Sequence, residues 1–243
     1  MKKERIDILL LKRGLTESRH RAQAIIMEGV VEVDGRRVDK PGRLIPMDSE
    51  IVIRRDPNPY VSRGGLKLEA ALRHFKIDIR DRIMLDIGAS TGGFTDCLIR
   101  HGASKVMAVD VGKGLIHWRL RNDPKVILFE GKNARSLRKE DLPYAPDGVV
   151  IDVSFISLKL IIPALYPIVK DSGFLLPLVK PQFEVGKKGL LKGGVVKDPK
   201  VHREILADII DFCKEEGWNF IDSMESPLLG PKGNREFFIY LIK

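Results

Sequence analysis

Cysteine is scarce in this chain of 243 residues, which contains only Cys97 and Cys213. The two lie far apart in the sequence, and each falls within a helix-like pattern. We therefore expect neither a disulfide framework nor a metal site built from paired cysteines. Both are predicted to be buried, reduced thiols, as in a cytoplasmic protein.

Long hydrophobic runs are also lacking. The most apolar stretch, residues 148–169, is interrupted by two prolines and two charged residues, which a membrane span would not accommodate. The N-terminal residues lack the apolar core and the small-residue cleavage site of a signal peptide. These absences predict a soluble, cytoplasmic protein without membrane contact.

Acidic residues are outnumbered, because 42 lysines and arginines stand against 33 aspartates and glutamates and give a formal net charge of +9. An excess of this size favours a polyanionic partner, since clustered basic side chains neutralise phosphates and release counterions. Charge alone leaves the partner open, because many basic proteins bind no nucleic acid. With 44% hydrophobic residues, the chain can bury one good core and carry a second, small domain.

Residues 1–57 have the pattern of a small α+β domain with two helices followed by short strands. The second helix is predicted over residues 16–27, with Thr16 as its N-cap and Gly29 after its end. The segment resembles the small RNA-binding domain first recognised in a ribosomal protein of the small subunit. Taken singly, each arginine could belong to an ordinary solvated face. Taken as a set, the predicted RNA contacts are Arg5, Arg13, Arg19, Arg21, Arg36 and Arg37.

A connector stiffened by two prolines follows, and we predict a linker over residues 58–63 and a second domain over residues 64–243. From residue 82 onward, predicted strands alternate with helices, one of them over residues 157–169. Two adjacent strands end the chain. This alternation predicts an α/β fold, with helices on both faces of a parallel sheet and an antiparallel hairpin at its edge. The seven-strand pattern resembles the Rossmann-like fold of S-adenosylmethionine-dependent methyltransferases.

Residues 85–96, LDIGASTGGFTD, predict a strand, a glycine turn and a helix. Ligands bind at such turns in open α/β sheets, because the next helix presents free N–H groups. The glycines depart from the GxGxxG fingerprint of dinucleotide sites, so we favour S-adenosylmethionine over a nicotinamide dinucleotide. An aspartate at the end of the second strand, Asp110, could bind ribose hydroxyls of either. The predicted cofactor-binding residues are Asp86, Gly88, Ser90, Gly92, Gly93, Phe94, Asp110, Asn133 and Asp152.

The sequence lacks the motifs expected for methyl transfer to a base nitrogen or to a pyrimidine carbon. No Asn/Asp-Pro-Pro-aromatic motif follows the fourth strand, as transfer to a base nitrogen would favour. Neither cysteine is placed to attack a pyrimidine carbon. Instead, four charged residues are predicted to meet at the ligand-binding edge of the sheet. They are Lys67, Asp152, Lys180 and Glu236, and in this order they resemble the catalytic tetrad of the heat-shock-type ribose 2′-O-methyltransferases.

A ribose hydroxyl is a poor nucleophile at neutral pH, so such a site must remove or orient its proton. A lysine that is crowded by a second lysine and partly desolvated loses its own proton more readily. We hypothesise that Lys180 is the base, that Asp152 and Glu236 orient its ammonium form, and that Lys67 positions the hydroxyl or a phosphate.

Further basic residues of the second domain are predicted to contact RNA phosphates. The loop over residues 186–198 mixes glycines with four lysines, which suits closure over RNA, although a simply solvated loop is the alternative. The predicted contacts are Arg63, Lys187 and Lys188.

Taken whole, the chain resembles the hemolysin-A-like (TlyA) ribosomal RNA methyltransferases. The matching stretches include YVSRGGLKLEAAL, DIGASTGGFTD, VIDVSFISL, LVKPQFE and GNREFFIYL. The resemblance implies 2′-O-methylation of cytidines in ribosomal RNA, with the N-terminal domain gripping a ribosomal subunit. We expect a monomer in isolation that needs no metal ion. Two alternatives stay open: an RNA-binding protein with an inactive methyltransferase fold, and a pore-forming hemolysin, against which the lack of a spanning helix argues.

Overall fold

The computed structural model describes residues 2–54, 58–185, 194–230 and 233–243. The chain forms two compact units, Met1–Pro59 and Tyr60–Lys243. The start of the second unit is well packed. Tyr60 is buried in its core, and the Val61 N–H donates to the Asp96 carboxylate at 2.9 Å.

Helices and short antiparallel strands form the first unit. Its elements are β1 (Lys3–Arg5), α1 (Ile6–Lys12), α2 (Arg19–Glu28), β2 (Val31–Val33), β3 (Arg36–Val38), β4 (Leu44–Pro46) and β5 (Ile51–Ile53). β2 pairs with β3 and β5, and β1 pairs with β4. The apolar sides of these elements enclose a small core that includes Ile6, Leu10, Ile26 and Val31. The unit therefore has a hydrophobic core of its own.

The start of α2 differs from the prediction. Ser18, and not Thr16, is the N-cap, because Ser18 is the extended residue whose hydroxyl accepts a hydrogen bond from the Arg21 N–H at 3.1 Å. At the other end, Gly29 adopts the left-handed conformation, with φ of +74°. A residue without a Cβ adopts this conformation at little cost, which is why the helix ends there.

The second unit is an α/β domain. Its elements are α3 (Gly64–His74), β6 (Ile83–Ile87), α4 (Gly93–Arg100), β7 (Lys105–Asp110), α5 (Trp118–Arg121), β8 (Val126–Glu130), β9 (Gly148–Ile151), β10 (Phe174–Val179), α6 (Pro181–Glu184), α7 (Pro199–Glu215), β11 (Asn219–Glu225) and β12 (Phe237–Ile242). The strands form one sheet in the order β11-β12-β10-β9-β6-β7-β8. Neighbours from β10 to β8 are parallel, whereas β12 is antiparallel to both β10 and β11. The predicted parallel sheet with a final antiparallel pair is confirmed.

Residues 157–169 do not form the predicted helix. They contain two short 3-10 turns, Leu158–Leu160 and Ile162–Ala164. Pro163 and Pro167 lack the N–H that a continuous helix needs, and their rings clash with the preceding turn, which explains the correction. Among the helices in the described ranges, none is long and apolar enough to cross a membrane.

The ends of four strands meet at one edge of the sheet. β6 and β9 are parallel and in register, with Ile87 opposite Ile151 at their last residues. β10 ends at Val179, which lies opposite Phe237, the first residue of the antiparallel β12. Positions 88, 152, 180 and 236 adjoin these ends and therefore share the edge at which open α/β sheets bind ligands.

Candidate active site

The glycine turn after β6 passes close to the backbone at the end of β9. Gly88 has φ of +84°, and a Cβ at this position would come within 2.5 Å of the Asp152 carbonyl oxygen. The Gly88 N–H donates to the Val109 carbonyl oxygen at 2.9 Å. A larger residue would be strained and would also displace the end of β9, so only glycine fits where these strand ends converge.

A cavity of about 460 Å³ opens at this edge of the sheet, a size typical of cofactor sites. The predicted cofactor residues that line it are Gly88, Ser90, Gly93, Phe94 and Asp152. Lining residues that the sequence analysis missed are Ser62, Gly64, Ala89, Thr91, Ser154, Leu229 and Gly230. Gly92 has a different place, because it is the N-cap of α4 and packs against Leu120.

Asp86 lies beneath the glycine turn and not in the cavity wall. It is fully buried, and its Oδ2 accepts a hydrogen bond from the Thr95 hydroxyl at 2.6 Å. Burial raises the pKa of this carboxyl to about 7, and the nearby charge of Asp152 acts in the same direction. The position follows from the strand, because Asp86 precedes the last residue of β6 and its side chain lies in the layer between β6 and α4. Its contact therefore joins the strand to the helix.

Asp110 ends β7 and anchors two loops. Its Oδ2 accepts from the Ser90 N–H at 2.8 Å, and its Oδ1 accepts from the Gly112 N–H at 2.7 Å. Each carboxylate oxygen has a further lone pair for a ribose hydroxyl. Asp110 also lines a small depression beside the main cavity. Glu130, at the end of β8, lines this depression too and was missed by the sequence analysis. Its place at the end of the third strand was the signal that could have identified it.

Asn133 contacts neither cavity. Its side-chain oxygen accepts hydrogen bonds from the N–H and the Nε of Arg135, at 3.1 and 3.2 Å. These bonds cap the 3-10 turn Ala134–Ser136. The Asn133 side chain thus forms a local cap, as is common for asparagine at the start of a helical turn, and its contact with adenine stays a prediction.

Two lysine–carboxylate ion pairs form at the cavity. Lys180 Nζ lies 2.6 Å from Asp152 Oδ1 and donates to Ser154 Oγ at 3.0 Å. Lys67, on α3, donates to Glu236 Oε2 at 2.6 Å. The four charges expected at this edge are thus present as two pairs. The contact expected between Glu236 and Lys180 is replaced by the pair with Lys67, because α3 and β12 pack in one core cluster.

The second oxygen of the Glu236 carboxylate is buried without a hydrogen-bond donor among the described residues. Glu236 is fully buried, and its Oε1 accepts no hydrogen bond from the described residues. A Cβ at Gly230 would come within 1.9 Å of this oxygen. A buried carboxylate held by one ion pair is costly, and such groups concentrate at functional sites. The absence of a side chain at Gly230 is therefore necessary for the Lys67–Glu236 pair.

An exposed aromatic side chain follows the cavity residues at the end of β9. Phe155 is 91% exposed and has φ of +64°, which is rare for a bulky residue. Its ring centroid lies 5.0 Å from that of Phe183. Strain of this kind concentrates at functional sites. The sequence signal was an aromatic residue three positions after Asp152, which we set aside because the intervening prolines of the base-nitrogen motif are missing.

Comparison with known proteins identifies the class to which this site belongs. A profile of the FtsJ-like methyltransferase family matches residues 60–243, and a profile of the S4 domain matches residues 4–51. The chain belongs to the FtsJ-like methyltransferase family. This membership confirms the predicted fold, the class of enzyme and S-adenosylmethionine as its cofactor.

Relatives of this FtsJ-like chain are similar over nearly its whole length. YqxC of Bacillus subtilis, named as an rRNA methyltransferase, is 46% identical over 99% of this chain and 86% of the relative. The 16S/23S rRNA (cytidine-2′-O)-methyltransferase TlyA of Mycobacterium tuberculosis is 42% identical over 99% of this chain and 90% of the relative. A solved structure from Streptococcus thermophilus that carries a hemolysin name has a TM-score of 0.79 and 43% identity, and the match covers 100% of this chain and 89% of that one.

The cavity of the FtsJ-like domain fits S-adenosylmethionine. Gly88 leaves a cradle that a Cβ would fill, and Asp110 holds the Ser90 N–H in the wall beside it. Glycine backbone and carboxylate oxygens suit the zwitterionic and ribose ends of this cofactor. When bound, it supplies an electrophilic methyl group on a sulfonium. Gly88, Ser90 and Asp110 are the residues that would hold it.

The arginines predicted to contact RNA differ in their contacts and in their exposure to solvent. Arg13 donates to the backbone carbonyl oxygens of residues 47 and 49, so it supports the fold of the domain. Arg5 and Arg19 bond to the buried Asp7. Arg21, Arg36 and Arg37 are exposed, as is Arg63 at the cavity of the second unit. Lys187 and Lys188 lie outside the described residues.

Proposed function

We propose that the protein transfers a methyl group from S-adenosylmethionine to the ribose 2′-hydroxyl of cytidines in ribosomal RNA. The observation that carries this proposal is the presence of two lysine–carboxylate pairs beside the glycine turn, at one cavity. Neither cysteine supports the alternative chemistry at a base carbon, since Cys97 and Cys213 are both buried and burial raises the pKa of each thiol. An alcohol acceptor needs a base and positioned charges, and the cavity supplies both.

Lys180 is the base in this proposal. Asp152 and Ser154 hold its Nζ at 2.6 and 3.0 Å, which fixes the direction of its lone pair when the amine is neutral. With the cofactor bound, the amine would accept the proton of the 2′-hydroxyl as the ribose oxygen takes the methyl group, whose bond to the sulfonium sulfur breaks and leaves the neutral thioether S-adenosylhomocysteine. Asp152 then stabilises the ammonium that forms, as a carboxylate partner does for a protonated base.

Lys67 positions the acceptor. Its ammonium is held by the buried Glu236, and with respect to the described residues two of its three N–H groups remain for the ribose oxygen or an adjacent phosphate. Phe155 supports binding of a single-stranded nucleotide, because it follows the cavity-lining Ser154 in the chain and its exposed ring offers a surface for a base to stack on.

The choice of ribosomal RNA rests on the S4 domain and on the names of the relatives. The relative from Mycobacterium tuberculosis is named for cytidine 2′-O-methylation of 16S and 23S rRNA. With a net charge of +9, the chain suits a polyanionic substrate. We further infer that it acts as a monomer, without a metal ion, on ribosomal subunits in the cytoplasm.

Methyl transfer from labelled S-adenosylmethionine onto purified ribosomal subunits tests the proposal. Lys180→Ala should lower the rate by about 10²- to 10⁴-fold, the usual contribution of a general base, while cofactor affinity stays close to that of the wild type. Lys170→Ala is the matched control, because Lys170 forms a 2.7 Å ion pair with Asp147 at the opposite end of β10. Full transfer by Lys180→Ala would contradict the assigned base.

The same assay separates the other candidate functions. An inactive RNA-binding protein would bind the cofactor or the subunits without transferring label. A protein with neither activity would leave the membrane-active alternative to be examined by lysis of erythrocytes.

A further inference from the structure

A buried carboxylate in the S4 domain binds side chains from strand β1 and helix α2. Asp7, in the first turn of α1, is fully buried. Arg5 donates to it twice, from Nε to Oδ1 at 3.0 Å and from Nη2 to Oδ2 at 2.9 Å. Arg19, the first residue of α2, donates from Nε at 3.0 Å, and Gln23 donates from Nε2 at 3.0 Å. One carboxylate thus orients two guanidinium groups.

The charges of this cluster do not cancel. Two guanidinium groups face one carboxylate, so the cluster keeps a net positive charge. The Arg5 and Arg19 side chains remain 41% and 50% exposed, although their common partner is buried. Each guanidinium has five N–H donors, of which Arg5 uses two and Arg19 uses one in the bonds to Asp7. Donors therefore remain on both groups for an anion in solvent.

Hydrogen bonds hold the pKa of Asp7 well below its usual range, although burial acts in the opposite direction. The bonds from the Arg5 guanidinium have the largest effect, and those from Gln23 and Arg19 have smaller ones. The carboxylate is therefore ionised at neutral pH. An arginine side chain loses considerable rotamer freedom when it binds a phosphate. A buried anion that already fixes the guanidinium restricts its rotamers when the protein folds. Less rotamer freedom is then lost when the phosphate binds, and this preorganisation favours binding.

We propose that Asp7 is a positioning residue for RNA binding, which holds Arg5 and Arg19 as a preorganised pair for the phosphate groups of the RNA backbone. The inference rests on the proposed function, since it concerns how the S4 domain binds the ribosomal RNA substrate. A purely structural role would need only a neutral link between α1 and α2. The two exposed cations on one buried anion favour phosphate recognition, because planar guanidinium groups match phosphate oxygens in a bidentate manner.

The direction in which Asp7→Asn changes the affinity for RNA distinguishes a positioning role from simple electrostatics. Asp7→Asn removes a negative charge, so electrostatics alone predicts tighter binding to RNA. Positioning predicts weaker binding, by about tenfold, because the two guanidinium groups lose their common anchor. Asp39→Asn is the matched control: Asp39 is an exposed residue of the same domain, and its substitution changes the charge equally. The probe is deproteinised ribosomal RNA, and affinity is measured at several KCl concentrations.

A second pair of variants keeps the test decisive if Asp7→Asn disturbs folding. Arg19→Lys retains the charge but loses the planar fork, and it should also weaken RNA binding by about tenfold. Arg54→Lys is its control, because Arg54 pairs with Glu32 in the same domain at 2.8 Å, and this variant should bind like the wild type. Circular dichroism and thermal unfolding of each full-length variant report on folding.

Steady-state kinetics separate this inference from the proposed function. If Asp7 positions RNA contacts, the KM for ribosomal subunits rises in Asp7→Asn and Arg19→Lys, whereas kcat and the affinity for S-adenosylmethionine stay unchanged. Binding by folded Asp7→Asn that equals or exceeds that of Asp39→Asn would overturn the inference, as would wild-type RNA affinity of Arg19→Lys. A wild-type protein that binds ribosomal RNA without transferring methyl groups would instead overturn only the proposed function.

Discussion

Substitution of Gly230 by alanine should disable the Lys67–Glu236 pair without touching either charge. The added Cβ would lie 1.9 Å from Glu236 Oε1 and 2.6 Å from the carboxyl carbon. Gly230 is not among the glycines with positive φ, so the backbone itself accepts alanine. The effect of the substitution is therefore confined to the contact with Glu236.

The magnitude follows from the geometry. Ordinary van der Waals contact begins near 3.4 Å, so the carboxylate must move by about 1.5 Å to admit the methyl group. Glu236 has no exposed surface into which it can move, and it holds Lys67 at 2.6 Å. A displacement of about 1 Å at a catalytic site can cost about 100-fold in rate. We expect a rate constant for methyl transfer about 100-fold below that of the wild type.

The assay is single-turnover methyl transfer to ribosomal subunits, with cofactor affinity measured by calorimetry. Gly233→Ala is the control in the same segment, because a Cβ there meets no atom within 4 Å, although its φ of +84° costs about 1 kcal/mol in stability. Glu236→Gln should be as slow as Gly230→Ala, and the double variant should be no slower, since both act through one pair. A Gly230→Ala rate within about twofold of the wild type, beside an inactive Glu236→Gln, would refute this reasoning.

Three further predictions concern stability, thiol reactivity and RNA binding. Burial raises the pKa of Asp86 to about 7, so the folded protein holds a proton that the unfolded chain releases between about pH 4 and pH 7. Its contribution to the free energy of unfolding therefore falls as pH rises through this window, by at most about 4 kcal/mol, and urea titrations should show a smaller fall for Asp86→Asn. Cys97 and Cys213 are fully buried, so an aromatic disulfide reagent should react with them only after unfolding. Removal of the residues before Asp56 should preserve cofactor binding but weaken RNA binding and its dependence on salt, and unchanged methylation of whole subunits would count against that role of the S4 domain.

The alternation of strands and helices made the sheet predictable, because each apolar run is short and bounded by glycine or charged residues. The main exception is residues 157–169, where apolar spacing suggested a helix but Pro163 and Pro167 prevent one. The edge at which Asp152, Lys180 and Glu236 lie followed from strand direction alone.

The partners of these charges were not predictable from the sequence. The pairing of Lys67 with Glu236 depends on how α3 packs beside β12, a contact between residues 169 positions apart. The closeness of Gly230 to Glu236 is likewise tertiary. The contact of Asp86 has a local reason that the sequence did not reveal, because its place inside β6 directs the side chain beneath the turn, where Thr95 meets it.

The chemical position of the transferred methyl group tests most directly whether the acceptor is the ribose 2′-hydroxyl. Ribosomal subunits are methylated with labelled S-adenosylmethionine, and the RNA is digested to nucleosides that are separated by liquid chromatography and identified by mass spectrometry. We expect label in 2′-O-methylcytidine, and we expect it to be lost with Lys180→Ala but not with Lys170→Ala. Label in a base-methylated nucleoside would contradict the ribose hydroxyl as the acceptor.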